Sequence, residues 1–219
     1  VSYYRQQAQK RTMKNKRTGI LGGTFNPIHN GHLRLAECAM EQYALNEVVF
    51  IPNNISYFKS DIPMPSRNIR YEMTERAVRD HRGFTISDIE LKRPGNSYTY
   101  ETLNILRTER PDEELYFIVG ADSVFSFENW MNPDVISADC VILAAVREDT
   151  GAAAIKTKAS ELHGRFGTDI RLIDFDRFDI SSTMLRERIT AGDTDWCRRY
   201  MPDDVVDYIL RNGLYKNNM

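Results

Sequence analysis

Two histidines three residues apart, His29 and His32, close the string Gly22-Gly23-Thr24-Phe25-Asn26-Pro27-Ile28-His29-Asn30-Gly31-His32. On a helical turn, residues three apart share a face. An imidazole, neutral or charged, can donate a hydrogen bond to a phosphate oxygen. Glycines let backbone N–H groups approach a ligand closely, and a helix N-terminus favours an anion. These residue types predict a phosphate site with chemistry attached. A plainer reading makes the glycine pair a simple turn and His29 a helix cap, since short glycine motifs recur by chance. The full eleven-residue string is too long for that. It is neither a Walker loop, which needs Gly-Lys-Ser or Gly-Lys-Thr, nor a GxGxxG dinucleotide fingerprint.

A second anion seat is predicted at Asp179-Ile180-Ser181-Ser182-Thr183-Met184-Leu185-Arg186. Ser181, Ser182 and Thr183 would place hydroxyls and free N–H groups at the positive end of a helix dipole. Arg186, one turn on, could point a bidentate fork at the same ligand. Ser-Ser-Thr alone would be an ordinary capping sequence. Beside the histidine pair it reads as the seat of a second phosphate, and two seats suggest a polyphosphate such as ATP.

The elements that must position these groups alternate along the chain. Gly19-Ile20-Leu21 precedes the first turn, and an apolar pattern from Leu33 to Tyr43 follows it with helical spacing. Glu47 to Ile51 reads as a buried strand stopped by Pro52, and Ser66 opens a helix with Ile69, Met73 and Ala77 on one face. Phe84 to Ile86, continued by Ile89 and Leu91, reads as a third strand. Ser97 to Arg107 reads as a helix, and Leu115 to Val119 as a fourth strand. Cys140 to Val146 and Ile170 to Phe175 complete the strands. Ser182 to Thr190 is helical, and a last helix runs from Pro202 to Gly213. The alanines and lysines of 147–168 suggest a surface helix. The alternation predicts an α/β fold, a Rossmann-like doubly wound parallel sheet in a single domain with a small C-terminal helical part. Ligands of such sheets sit at the carboxyl ends of the strands. If the first and fourth strands are neighbours, Gly22-Gly23 and Gly120-Ala121-Asp122 line one crevice. Asp122 could also serve as a helix N-cap.

The residues Gly23-Thr24-Phe25-Asn26-Pro27-Ile28-His29-Asn30-Gly31-His32 and Ile180-Ser181-Ser182-Thr183-Met184-Leu185-Arg186 resemble the HxGH nucleotidyltransferase superfamily. Pro52-Asn53, Arg93-Pro94-Gly95-Asn96-Ser97-Tyr98-Thr99, Gly120-Ala121-Asp122, Trp130 and Asn212-Gly213-Leu214-Tyr215 narrow the likeness to the bacterial nicotinate-nucleotide adenylyltransferases. It extends from about Thr18 to Tyr215. The resemblance implies adenylyl transfer from ATP, accompanied by Mg²⁺, to nicotinate mononucleotide. It makes His29 and His32 the catalytic pair. Gly22, Gly23, Thr24, Phe25, Lys59, Gly120, Asp122, Ser181, Ser182, Thr183 and Arg186 would bind ATP. Asn53, Tyr98, Thr99 and Trp130 would bind the pyridine nucleotide. The chain departs from the pattern at Phe58, which precedes Lys59 where a histidine is common, at Glu101, which replaces a commoner aspartate, and over 147–168.

Bulk properties bound the alternatives. With 29 basic and 31 acidic residues and a formal charge of −2, no global positive field invites nucleic acid. No apolar run has the length of a membrane span. Cys38, Cys140 and Cys197 lack metal or redox spacing, and an odd, sparse cysteine set suits a reducing cytoplasm. No dedicated metal cage is expected, since Mg²⁺ takes phosphate and water oxygens. Residues 1–16, basic and free of acids, read as an N-terminal extension to a domain over 17–219. Homo-oligomerisation is left open.

Overall fold

Runs rich in β-branched, aromatic and other apolar residues give six strands: β1 (Arg17–Gly23), β2 (Glu47–Pro52), β3 (Phe84–Ile86), β4 (Glu114–Gly120), β5 (Val141–Val146) and β6 (Ile170–Asp174). In the computed structural model, which describes residues 15–54, 64–146, 152–175 and 179–216, they form one parallel sheet ordered β3-β2-β1-β4-β5-β6. The order reverses between β1 and β4, so the first and fourth strands are indeed neighbours, with Ile20 opposite Phe117.

Strand residues alternate between two cores, as the twofold pleat requires. Leu21, Phe50, Ile118 and Leu143 face one core, and Ile20, Val49, Phe117 and Ile142 face the other. The first core is covered by α1 (Asn30–Tyr43), α2 (Arg67–Val78) and the C-terminal helices α7 (Ser182–Thr190), α8 (Thr194–Arg198) and α9 (Asp203–Arg211). The second is covered by α3 (Thr99–Glu109), α4 (Ala121–Ser126), α5 (Pro133–Asp139) and α6 (Ala152–Phe166). Helix α6 is the surface helix expected within 147–168. Only Ile155 and Leu162, seven residues apart, are buried along it.

Four points of the sequence reading are revised. Helix α1 begins at Asn30, a turn before the apolar pattern starts. Strand β3 ends at Ile86: Ser87 donates its N–H to Phe50 O, and the chain then turns through Lys92 N–H to Asp88 O. Leu91 is buried all the same, and a buried residue in a turn mimics strand alternation. Helices α4, α5 and α8 are too short to print a 3.6-residue period. Lys16, assigned above to the extension, is tied to the sheet: its carbonyl accepts from Glu114 N–H, and its ammonium pairs with Glu47 at 2.8 Å. No helix among the described residues is long and apolar enough to cross a membrane.

Candidate active site

The carboxyl ends of β1, β2 and β4 open into one cleft of about 880 Å³. Every site residue expected above lines it except Lys59, which lies outside the described residues. The first seat is the β1–α1 turn. Phe25 is buried with φ of 45°, and a Cβ at Gly23 would meet its ring at 2.9 Å. Glycine there lets the ring fold under the turn. It then packs edge-on against His32, with centroids 5.2 Å apart.

His29 occupies the N-cap position of α1, and its ring stacks on His32 at 3.7 Å. A Cβ at Gly31 would stand 3.0 Å from His29 Nδ1, so the glycine of the HxGH string admits the stack. His29 N–H donates to His32 Nδ1 at 3.2 Å. That makes Nδ1 the acceptor and leaves the neutral ring's proton on Nε2, the donor form needed for a phosphate oxygen. His29 is buried, its Nδ1 makes no hydrogen bond among the described residues, and desolvation pulls its pKa down to about 4. Its ring is therefore neutral at pH 7, and two stacked imidazoles avoid a double positive charge. The helix end supplies fewer donors than expected, because Asn30 N–H is taken by Tyr200 O at 2.8 Å.

The second seat is the start of α7. Here the three hydroxyls are spent on the frame. Ser181 is the N-cap and accepts from Met184 N–H. Ser182 donates to Pro27 O at 2.9 Å, which sews the two seats together. Thr183 accepts from Arg186 at 3.1 Å. Arg186 also donates to Asn26 O at 2.8 Å, so its fork is partly committed to the frame. What remains for an anion is the N–H groups of Ser182 and Thr183 and the other guanidinium donors. Tyr215 holds the same turn from the chain end, donating to Asn26 Oδ1 at 2.7 Å. Burial pushes its phenol up, although Arg186 and Arg70 oppose the shift.

Gly120 and Asp122 meet the cleft at the end of β4. Asp122 is not the N-cap that its position suggested. Gly120 caps α4, and Asp122 lies inside the first turn, where a carboxylate complements the dipole. Across the cleft, Tyr98 occupies the N-cap position of α3 and Thr99 is its first residue. Trp130 packs on Phe127 and Phe117, with its indole N–H buried and without a hydrogen-bond partner among the described residues. Asn53 lines the cleft, but its side chain works on the frame, donating to Thr24 Oγ1 at 3.3 Å and accepting from Arg70.

Two residues escaped the sequence reading. Arg70 is 1% exposed, and it donates to Thr24 O, Asn53 O, Asn54 O and Asn53 Oδ1 at 2.7–3.3 Å. Burial lowers its pKa. Hydrogen bonds to a charged group contribute about 1.5–3 kcal/mol each, enough to offset a desolvation cost of several kcal/mol. The signal was there: Arg70, Met73, Thr74 and Ala77 form the buried stripe of α2, so a basic residue stands on an apolar face. Glu90 is also buried beside the cleft and accepts from Thr102 at 2.8 Å. Burial pushes its carboxyl up, against hydrogen bonds from Ser97 and Thr102.

Comparison with known proteins now decides the family. Residues 20–188 match the cytidylyltransferase-like family. A probable nicotinate-nucleotide adenylyltransferase of Lachnoclostridium phytofermentans is 40% identical over 200 residues, 91% of this chain and 99% of that one. The chain belongs to the nicotinate-nucleotide adenylyltransferase family. Another probable member, from Clostridium botulinum strain Kyoto, is 41% identical over 199 residues, 90% of this chain and 98% of its own. In three dimensions the adenylyltransferase fold recurs in the Plasmodium falciparum nicotinic acid mononucleotide adenylyltransferase complexed with NaAD. That structure has a TM-score of 0.75 at 19% identity, covering 92% of this chain and 98% of that one.

Proposed function

We propose that the protein transfers the adenylyl group of ATP to nicotinate mononucleotide, forming nicotinate adenine dinucleotide and pyrophosphate, a step of NAD biosynthesis. The observation that carries this reading is the sharing of one cleft. The stacked His29–His32 pair and the α7 start are joined by the Ser182–Pro27 bond, and both face α3 and Trp130 across the same space. Two anion seats suit a triphosphate, and the α3 side with an aromatic platform suits the second nucleotide.

In the reaction a phosphate oxygen of nicotinate mononucleotide bonds to the α-phosphorus of ATP. The bond from that phosphorus to the bridging oxygen breaks, and pyrophosphate leaves with its electrons. The attacking phosphate is already an anion, so no general base is needed. The chain's task is alignment and stabilisation of growing charge. His32 Nε2–H and His29 serve the triphosphate from the first turn, and Arg186 with the first-turn N–H groups of α7 serve its far phosphates. The donors of both seats are N–H groups, which suit phosphate oxygens. A Mg²⁺ accompanying ATP would take phosphate and water oxygens and neutralise charge there. The acid group of the pyridine ring would meet backbone N–H groups at the start of α3, with Trp130 covering the ring face. A reaction that draws on ATP and a chain whose three cysteines are buried thiols fit a cytoplasmic protein.

Coupled pyrophosphate release tests this with three acceptors. Nicotinate mononucleotide should turn over, its amide analogue more slowly because donors facing an NH₂ go unpaired, and phosphopantetheine not at all. Absence of pyrophosphate with nicotinate mononucleotide, or equal rates with phosphopantetheine, would overturn the reading.

A further inference from the structure

We infer that Asn54, clamped by Arg70, is a positioning residue that sets the separation of the two substrates. The inference rests on the adenylyl-transfer reading. Two consecutive asparagines leave the end of β2 and reach in opposite directions. Asn53 turns to the triphosphate side: its N–H donates to Gly23 O at 3.0 Å and its amide to Thr24 Oγ1. Asn54 turns to the pyridine side. Its N–H donates to Ser97 Oγ at 3.0 Å, and its amide donates to Arg93 O at 2.8 Å and Gly95 O at 3.3 Å. Those acceptors belong to the segment that leads into α3.

Arg70 locks the pair. One guanidinium bonds the carbonyls of Thr24, Asn53 and Asn54 together, and its burial leaves the fork no room to swing. Arg67 adds a bond to Asn54 Oδ1 at 3.3 Å. Every donor and the amide oxygen of Asn54 are thereby engaged. A continuous path of hydrogen bonds runs from the Thr24 turn, through Arg70 and Asn54, to Ser97. The two half-sites hang on different elements of the sheet, and this path bridges them over its edge. In-line transfer demands that two phosphates meet at bonding distance, and a misplacement of about 1 Å costs on the order of 100-fold in rate.

The test separates spacing from binding. Asn54→Asp keeps the shape but cannot donate to Arg93 O and Gly95 O. Asn54→Ala removes every side-chain bond, to Arg93 O, Gly95 O and Arg67, and leaves only the backbone link from Arg70 to Ser97. Turnover is measured with both substrates, and the dissociation constant of each substrate is measured alone, together with the melting temperature. Turnover should fall by about 30-fold or more in both variants while each substrate alone binds within about threefold of the wild type. Turnover within about threefold of wild type in Asn54→Asp overturns the inference, as does a loss matched by equal weakening of either substrate alone. A wild-type protein that releases no pyrophosphate from ATP and nicotinate mononucleotide refutes the functional reading itself. Normal wild-type turnover with an unaffected Asn54→Asp refutes only the bridge.

Discussion

The two ends of the sheet treat charge in opposite ways. At the N-terminal ends of β1, β2 and β4, Lys16, Arg17 and Arg110 each have a carboxylate. Lys16 pairs with Glu47 and Glu113, Arg110 bonds the same two acids, and Arg17 pairs with Glu114. At the carboxyl ends, Arg70 and Arg186 donate to carbonyl, amide and hydroxyl oxygens, and neither makes an ion pair among the described residues. Beside them stands buried His29, whose Nδ1 makes no hydrogen bond among the described residues. Paired charges hold three strands in register and are self-sufficient. Positive charge left without a carboxylate is stable only while its hydrogen bonds last, and it keeps its field for an anion from outside. The end that looks less complete is the end proposed to bind.

The sharpest way to separate the ends is pH. His29 has a folded pKa of about 4 against 6.5 for the unfolded chain. Between these values the unfolded state binds a proton that the folded state refuses, so stability is full above 6.5 and is lost as pH falls toward 4. At 1.36 kcal/mol per unit, the loss should reach about 3 kcal/mol. Glu47 works lower down. Burial raises its pKa, but hydrogen bonds from Lys16 and Arg110 outweigh that and hold it below 4.5, so its contribution fades only beneath that pH. Chemical denaturation from pH 7 to 4 should show the upper window in the wild type and not in His29→Asn. A window common to both proteins would assign it to other groups.

Next comes His32→Ala, which should reduce turnover at least ~100-fold, the scale for one lost preorganised donor, with little change in melting temperature. Turnover close to normal would remove His32 from the chemistry. At the opposite end Glu47→Gln should do the reverse. It should cost about 2 kcal/mol of stability, between the surface and the buried ion-pair scales, and leave turnover per folded molecule unchanged. A fall in turnover there would mean that the two ends are coupled. The smallest effect belongs to Arg186→Lys. It keeps the charge but cannot hold Asn26 O and Thr183 Oγ1 together, so the KM for ATP should rise about tenfold and that for the pyridine nucleotide should stay level. Equal changes in both would place Arg186 in the common frame rather than in the ATP seat.

Much of this contrast is written in the chain, because short-range rules govern it. The strand-turn-helix around His29 and His32, the cap at Ser181 and the alternation of β and α units all follow from spacing within a few residues. So does the twofold pattern that splits Ile20 from Leu21 into separate cores. Only the folded chain decided how the polar groups are spent. Ser182 and Asn53 carry side chains that could meet a ligand, yet each is held by a partner 155 or 29 residues away. Arg70 carries no motif around it, and its four acceptors lie on other elements. A hydrogen bond is satisfied by whichever group is nearest in space, and for buried polar atoms that group is chosen by the strand order. Residue type states what a side chain can do, and the sheet that brings β1 beside β2 and β4 determines with whom it does it.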